Sequence, residues 1–125
     1  MFRVAVFLLL LFLINPVNSK VEATGQSDYE KAVLSLMFGQ IYKAVNDNYD
    51  IKGVQFEDQK ILSLNMTNGL TFDVTIQIQT FIGAHNTIGT DTLRFKRELN
   101  GVKLVRYNHH PSPHSDELIK LYMNP

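Results

Sequence analysis

The 125-residue sequence has no cysteine, which excludes disulfide cross-links and a lipid anchor attached at a cysteine. It also lacks an excess of charge of either sign, with twelve Lys and Arg against twelve Asp and Glu. A nucleic-acid-binding surface needs strong positive charge, so bulk binding of nucleic acid is not expected. No catalytic or cofactor motif stands out from chance, and neither an enzyme class nor a cofactor is indicated. Only one long apolar run is present, the eleven residues Val4 to Ile14. As a helix it measures about 16 Å against a membrane core of about 30 Å, too short to remain as a span.

That run follows Met1-Phe2-Arg3 and is broken by Asn15-Pro16, and Val17 and Ser19 occupy the −3 and −1 positions of a cleavage site before Lys20. These are the three parts of an export signal. The expectation is a cleaved signal over 1–19 and a secreted, extracellular chain from Lys20 to Pro125 with no transmembrane anchor. Loss of Arg3 leaves eleven basic residues against twelve acidic ones. A chain of this size makes one domain and buries about two thirds of its unfolded surface. Asn65-Met66-Thr67 spells a glycosylation acceptor, meaningful only in a eukaryotic secretory route.

After a polar lead over 20–27, Ser27 and Glu30 have the spacing of a helix capping box. Val33, Leu34, Met37, Ile41, Ala44 and Val45 recur at helical spacing, predicting an amphipathic helix from Asp28 to Asn48. Gly39 in its middle weakens it by about 1 kcal/mol relative to Ala, which predicts close approach to another element. The period then changes to two. Leu70, Phe72, Val74, Ile76 and Ile78 alternate with Thr71, Asp73, Thr75, Gln77 and Gln79, the pattern of a strand with one buried face. Asn68-Gly69 and Asn100-Gly101 mark turns. Three-residue loops with a glycine bulge pair Met66 with Leu70, Leu64 with Phe72 and Leu62 with Val74, and in the second hairpin Phe95 with Val105 and Leu93 with Tyr107; they keep apolar residues together, where tight turns at the Asn-Gly pairs mix the faces.

A one-faced antiparallel sheet needs a cover, and the helix is the long amphipathic element available. The fold class is α+β: one long N-terminal helix packed on a curved antiparallel meander of four to five strands, cystatin-like or nuclear-transport-factor-like in shape. The single domain runs over 28–110. A short edge strand is expected near Ile51 to Phe56, and a tail over 111–125 in which Ser115 caps a brief helix with Leu118, Leu121 and Tyr122 on one side.

The segment from Tyr29 to Tyr107, with its helix, Lys60-Ile61-Leu62, the long strand ending Thr80-Phe81, the Gly83-Ala84-His85-Asn86 loop and Gly101-Val102-Lys103-Leu104, resembles a family of small exported proteins of Gram-positive bacteria classed as a domain of unknown function. The family pattern carries prolines in the loop where this chain has Ala84 and Thr87, which implies a more flexible loop here. The resemblance implies no activity.

Three groups of residues are candidate sites. His85 and Asn86 sit in an apparent eight-residue loop between strands, from Ile82 to Gly89, and are a candidate binding loop. Arg94, Lys96 and Arg106, beside Val102 and Leu104 under the bulged register, form a candidate basic surface for anionic lipids or envelope polymers. His109, His110 and His114, followed by Asp116 and Glu117, are weak metal candidates, since Pro111 and Pro113 keep the segment extended and adjacent histidines on an extended chain point apart. The leading expectation is a non-enzymatic binding module acting outside the membrane on a protein or anionic polymer of the cell envelope. The Gln-x-Val-x-Gly wedge of cystatin inhibitors is absent at Gln55 and Gln77. A small-molecule-binding cone-shaped fold is the alternative. It requires inward polar groups, and every inward strand position assigned above is apolar. Metal binding through the terminal histidines is a further alternative. Val105 and Tyr107 lie where a last strand could extend a sheet across a dimer.

Overall fold

The computed structural model describes residues 26–125, so the expected signal over 1–19 lies outside the described residues. Helix α1 spans Asp28–Asn48. Ser27 has extended backbone angles and its hydroxyl accepts the Glu30 N–H at 3.1 Å, the N-cap arrangement its sequence spacing predicts. The reciprocal half of the capping box is absent. The Glu30 carboxylate instead accepts the Ile61 N–H at 2.8 Å, and so ties the first turn of α1 to the sheet. Leu34, Met37, Ile41, Ala44 and Val45 are buried. Gly39 lies on the exposed face, and a Cβ there would meet nothing within 4 Å, so no close approach explains it.

Four antiparallel strands follow in order, β1 (Gln55–Asn68), β2 (Thr71–Ile82), β3 (Asn86–Glu98) and β4 (Gly101–Pro111), and a short helix α2 covers Ser115–Met123. The chain near Ile51 turns and then enters β1 at Gln55, so no fifth strand forms there. Helix and sheet share one core, in which Ile41, Val74, Ile76, Ile78, Ile82, Ile88, Leu93 and Phe95 are almost wholly buried.

Both hairpin turns differ from expectation. Asn68 pairs with Thr71, leaving Gly69-Leu70 as a two-residue turn, and the Asn68 side chain accepts the N–H groups of Leu70 and Thr71. This side-chain turn does the work expected of a glycine bulge. The register shifts are distributed along β1, between Glu57 and Lys60, Ile61 and Ser63, and Met66 and Asn68. Met66 therefore faces Phe72 and Leu64 faces Val74, and apolar residues still meet although the partners differ from those expected. In the second hairpin Glu98 pairs with Gly101 around a Leu99-Asn100 turn, and the extra residue is Val105 in mid-strand. Leu93 faces Tyr107 as expected, while Phe95 faces Leu104 instead of Val105. Bulges bend and twist edge strands, and both strands that carry these shifts are edges.

The tail folds back onto the body. The Ser112 N–H donates to the Ile88 carbonyl and its hydroxyl to that of Thr87, both at 2.9 Å. In α2, Ser115 is buried, and Leu118 and Ile119 pack against the core, while Leu121 and Tyr122 are exposed. The helix is capped by His114 without a side-chain bond, so Ser115 is its first residue and not its cap.

Candidate functional site

Two residues on the buried inner face of the sheet are polar, Thr80 on β2 and Asp91 on β3, each with no exposed surface. Their presence corrects the expectation that inward positions are all apolar. Asp91 follows from the same alternation that buries Leu93 and Phe95, and its strand partner is His109 on β4. A buried carboxylate is strongly destabilising unless its oxygens are satisfied. Here they are. The Tyr49 hydroxyl donates to Asp91 Oδ2 at 2.6 Å, the Tyr107 hydroxyl donates to the same oxygen at 2.5 Å, and His109 Nδ1 lies 2.5 Å from Oδ1. The Tyr49 hydroxyl is also 3.0 Å from Thr80 Oγ1 and 2.8 Å from His109 Nδ1.

Four elements supply these groups. Tyr49 is the residue at which α1 ends, with its own N–H on the Val45 carbonyl, so the helix terminus carries the phenol to the sheet. Thr80, Asp91, Tyr107 and His109 come from β2, β3 and β4. Gly89 makes room for the imidazole. A Cβ there would stand 2.5 Å from His109 Cε1 and 2.8 Å from the His110 carbonyl oxygen. Burial, followed by the hydrogen bond to Asp91, pushes both tyrosine hydroxyls well above the ordinary tyrosine range, so each stays protonated and stays a donor to Asp91. Both phenols give their protons to Oδ2, and a proton on Nδ1 completes the short contact with Oδ1, which leaves Nε2 as the ring atom for other partners.

The cluster forms the floor of an open pocket of about 380 Å³. Tyr49, Tyr107 and His109 line it on the sheet side, Asn48 and Asp50 at the end of α1, and Ile51 and Ile119 supply apolar walls. The His109 side chain is 35% exposed, against zero for Asp91 behind it. The arrangement is a set of aromatic and imidazole groups held from behind by one carboxylate and open to solvent in front. A second concavity of about 330 Å³, with Phe38, Tyr42 and Phe56 in its lining, has no comparable polar centre.

The candidate residues read from sequence are scattered. The His85 loop is a tight connection of Gly83-Ala84-His85, because Asn86 already pairs with Ile82 within β3. His85 adopts a left-handed backbone (φ 61°), stacks on Phe81 and places Nδ1 3.1 Å from Glu57 Oε2. Arg94 and Arg106 are direct strand partners on the exposed face, and Lys96 faces Lys103. The Val105 bulge places Val102 opposite Arg97 and Leu104 opposite the buried Phe95, so these two belong to the inner side and are not apolar neighbours of the basic row. His109, His110 and His114 are not brought together. His109 turns inward to Asp91, His110 pairs with Thr90, and His114 lies 3.8 Å from Glu117. Among the described residues no group of three His, Cys, Asp or Glu is placed to hold a metal.

Tyr49, Asp91 and Tyr107 escaped the sequence reading, although part of the signal was present. Continuing the Leu93–Tyr107 pairing two residues outward brings Asp91 opposite His109 on the inner face. Tyr49 carried no comparable sign, because a residue just past a helix end has no periodicity to place it.

Comparison with curated proteins and with solved structures gives no match. One family model matches, over residues 29–110, a segment that includes Tyr49, Thr80, Asp91, Tyr107 and His109 and stops short of α2. The chain belongs to the family described as Protein of unknown function (DUF3888).

Proposed function

We propose that the protein is an exported, non-enzymatic binding module that holds a small ligand in the pocket over Asp91. The observation that carries this reading is the fully buried carboxylate with three donors at the floor of an open pocket. Ile78, its partner on β2, and Leu93, the next inner residue of β3, are buried apolar residues, so packing alone has no need of an ion there. What the network supplies is fixed orientation: two phenols and an imidazole are locked in place before any ligand arrives. Export rests on the N-terminal sequence pattern. No helix among the described residues is long and apolar enough to cross a membrane.

A fragment screen read by NMR tests this, with tyrosine and histidine side-chain resonances assigned. Hits are expected to shift Tyr49, Tyr107 and His109 together and to lose that effect in Asp91→Asn. Hits that map only to the Phe38, Tyr42 and Phe56 concavity would refute the assignment.

A second reading is favoured by the outer face. Arg94 directly opposite Arg106 and Lys96 directly opposite Lys103 are destabilising pairings in themselves. Asp73, 3.5 Å from Arg94, and Glu98, 3.9 Å from Lys96, offset them in part. A face of this kind suits an anionic envelope polymer, and polymer binding abolished by the Arg94/Lys96/Arg106 triple glutamate variant is the expected result.

A further inference from the structure

We infer that the pocket over Asp91 selects an organic cation, a small primary amine carried as its ammonium form; this deepens the reading of the pocket as a ligand site and rests on it. The polarity of the lining is fixed by Asp91. Both phenol protons are committed to Oδ2, and the Nδ1 proton of His109 is committed to Oδ1. The Tyr49 oxygen is enclosed by Thr80 and His109 within the network, so the Tyr107 oxygen and His109 Nε2 are the acceptors left to a ligand, and the ligand must bring the protons.

The field there has the matching sign. Helix α1 ends at Asn48, which lines the pocket, and its last turn contains no basic residue to offset the negative end of the helix dipole. Lys43 is occupied by an ion pair with Asp47 one turn earlier. Asp50 adds a carboxylate to the wall itself, whereas Lys52, Arg106 and Lys120, each next in sequence to a lining residue, are not among the lining residues, and Arg106 pairs with Arg94 on the opposite face of the sheet. Two aromatic residues, Tyr49 and Tyr107, are among the lining, a residue type that attracts an ammonium, and Ile51 and Ile119 suit the carbon attached to it. The volume equals that of roughly a dozen water molecules, so the ligand is small. An anion would meet the Asp50 carboxylate and a helix C-terminus, with the Asp91 carboxylate buried behind the lining.

The test is an NMR titration of the purified protein with n-butylammonium, and with n-butanol and butyrate as neutral and anionic counterparts of the same size, at constant ionic strength. Saturable shifts at Tyr49, Asp50, Tyr107 and His109 are expected with n-butylammonium alone. Asp50→Asn, which alters an exposed residue, is expected to weaken them about fivefold, the scale of one exposed charge pair. Saturation by butanol or butyrate as strong as by butylammonium, or unchanged affinity in Asp50→Asn, overturns the cation assignment and leaves the pocket as a ligand site. Absence of saturable shifts with all three overturns the cation assignment, and the fragment screen then decides whether the pocket reading falls with it.

Discussion

At the end of the sheet where α1 terminates, a carboxylate is buried without any exposed surface; at the hairpin end, Met66 is 59% and Leu70 is 70% exposed. The two ends are strung on the same alternating strands, so residue type alone does not decide what is buried. Cover does. The first turn of α1 meets β1 at Ile61 through Glu30, and the strand runs on for about 20 Å beyond it, with Leu62, Leu64 and Met66 all in contact with solvent. At the other end Tyr49 and α2 close over β3 and β4, and a polar side chain is retained because each of its acceptors has a donor.

Replacing Asp91 by Ala attacks the covered end most directly. It strands two hydroxyls and an imidazole in a low-dielectric site, and a loss of about 3–5 kcal/mol is expected in urea unfolding. Gly89→Ala is expected to cost about 2 kcal/mol and to shift His109 resonances, since the imidazole and the His110 carbonyl both stand in the way of the new methyl group. Tyr107→Phe removes one donor to the carboxylate and should cost about 1.5 kcal/mol. The same variant bears on pH. The folded protein holds both phenols protonated above the unfolded value of 10.0, so it binds more protons than the unfolded chain once pH exceeds about 10. Stability contributed by the phenols is therefore fully present below pH 10 and falls as pH rises, and the fall should be shallower in Tyr107→Phe when unfolding is followed from pH 9 to 11.

At the uncovered surfaces the expected effects are small. Gly39→Ala on the solvent face of α1 should stabilise by about 0.5–1 kcal/mol, as no neighbour obstructs the added methyl group. Leu70→Ala should change stability by less than about 0.5 kcal/mol in the same unfolding assay. A loss comparable to that at Asp91 would mean that the hairpin end is covered in solution, and would erase the contrast between the two ends.

The helix, the strand sequence and the sheet order were legible because each rests on short-range pattern: Ser27 with Glu30, the 3.6-residue spacing of Leu34 to Val45, and the alternation from Phe72 to Ile78. Hairpin register was legible in part. The apolar alternation required compensating shifts but did not say where, and Asn68 took the turn with its side chain while the shifts moved into β1 and to Val105. Of the site, the histidine-rich stretch drew attention for its residue types, yet only His109 among those histidines takes part, in a role set by its facing strand.

By itself, then, the sequence determined what is periodic: the helix, the alternating strands and the wet and dry faces. Tertiary structure alone decided where the bulges fall, that α2 folds back, and that Tyr49, Thr80, Asp91, Tyr107 and His109 meet. The reason is one of range. Backbone periodicity is set by neighbours a few residues apart, whereas a buried carboxylate is tolerated only when donors 16 to 42 residues distant arrive together, and no local pattern encodes that arrival.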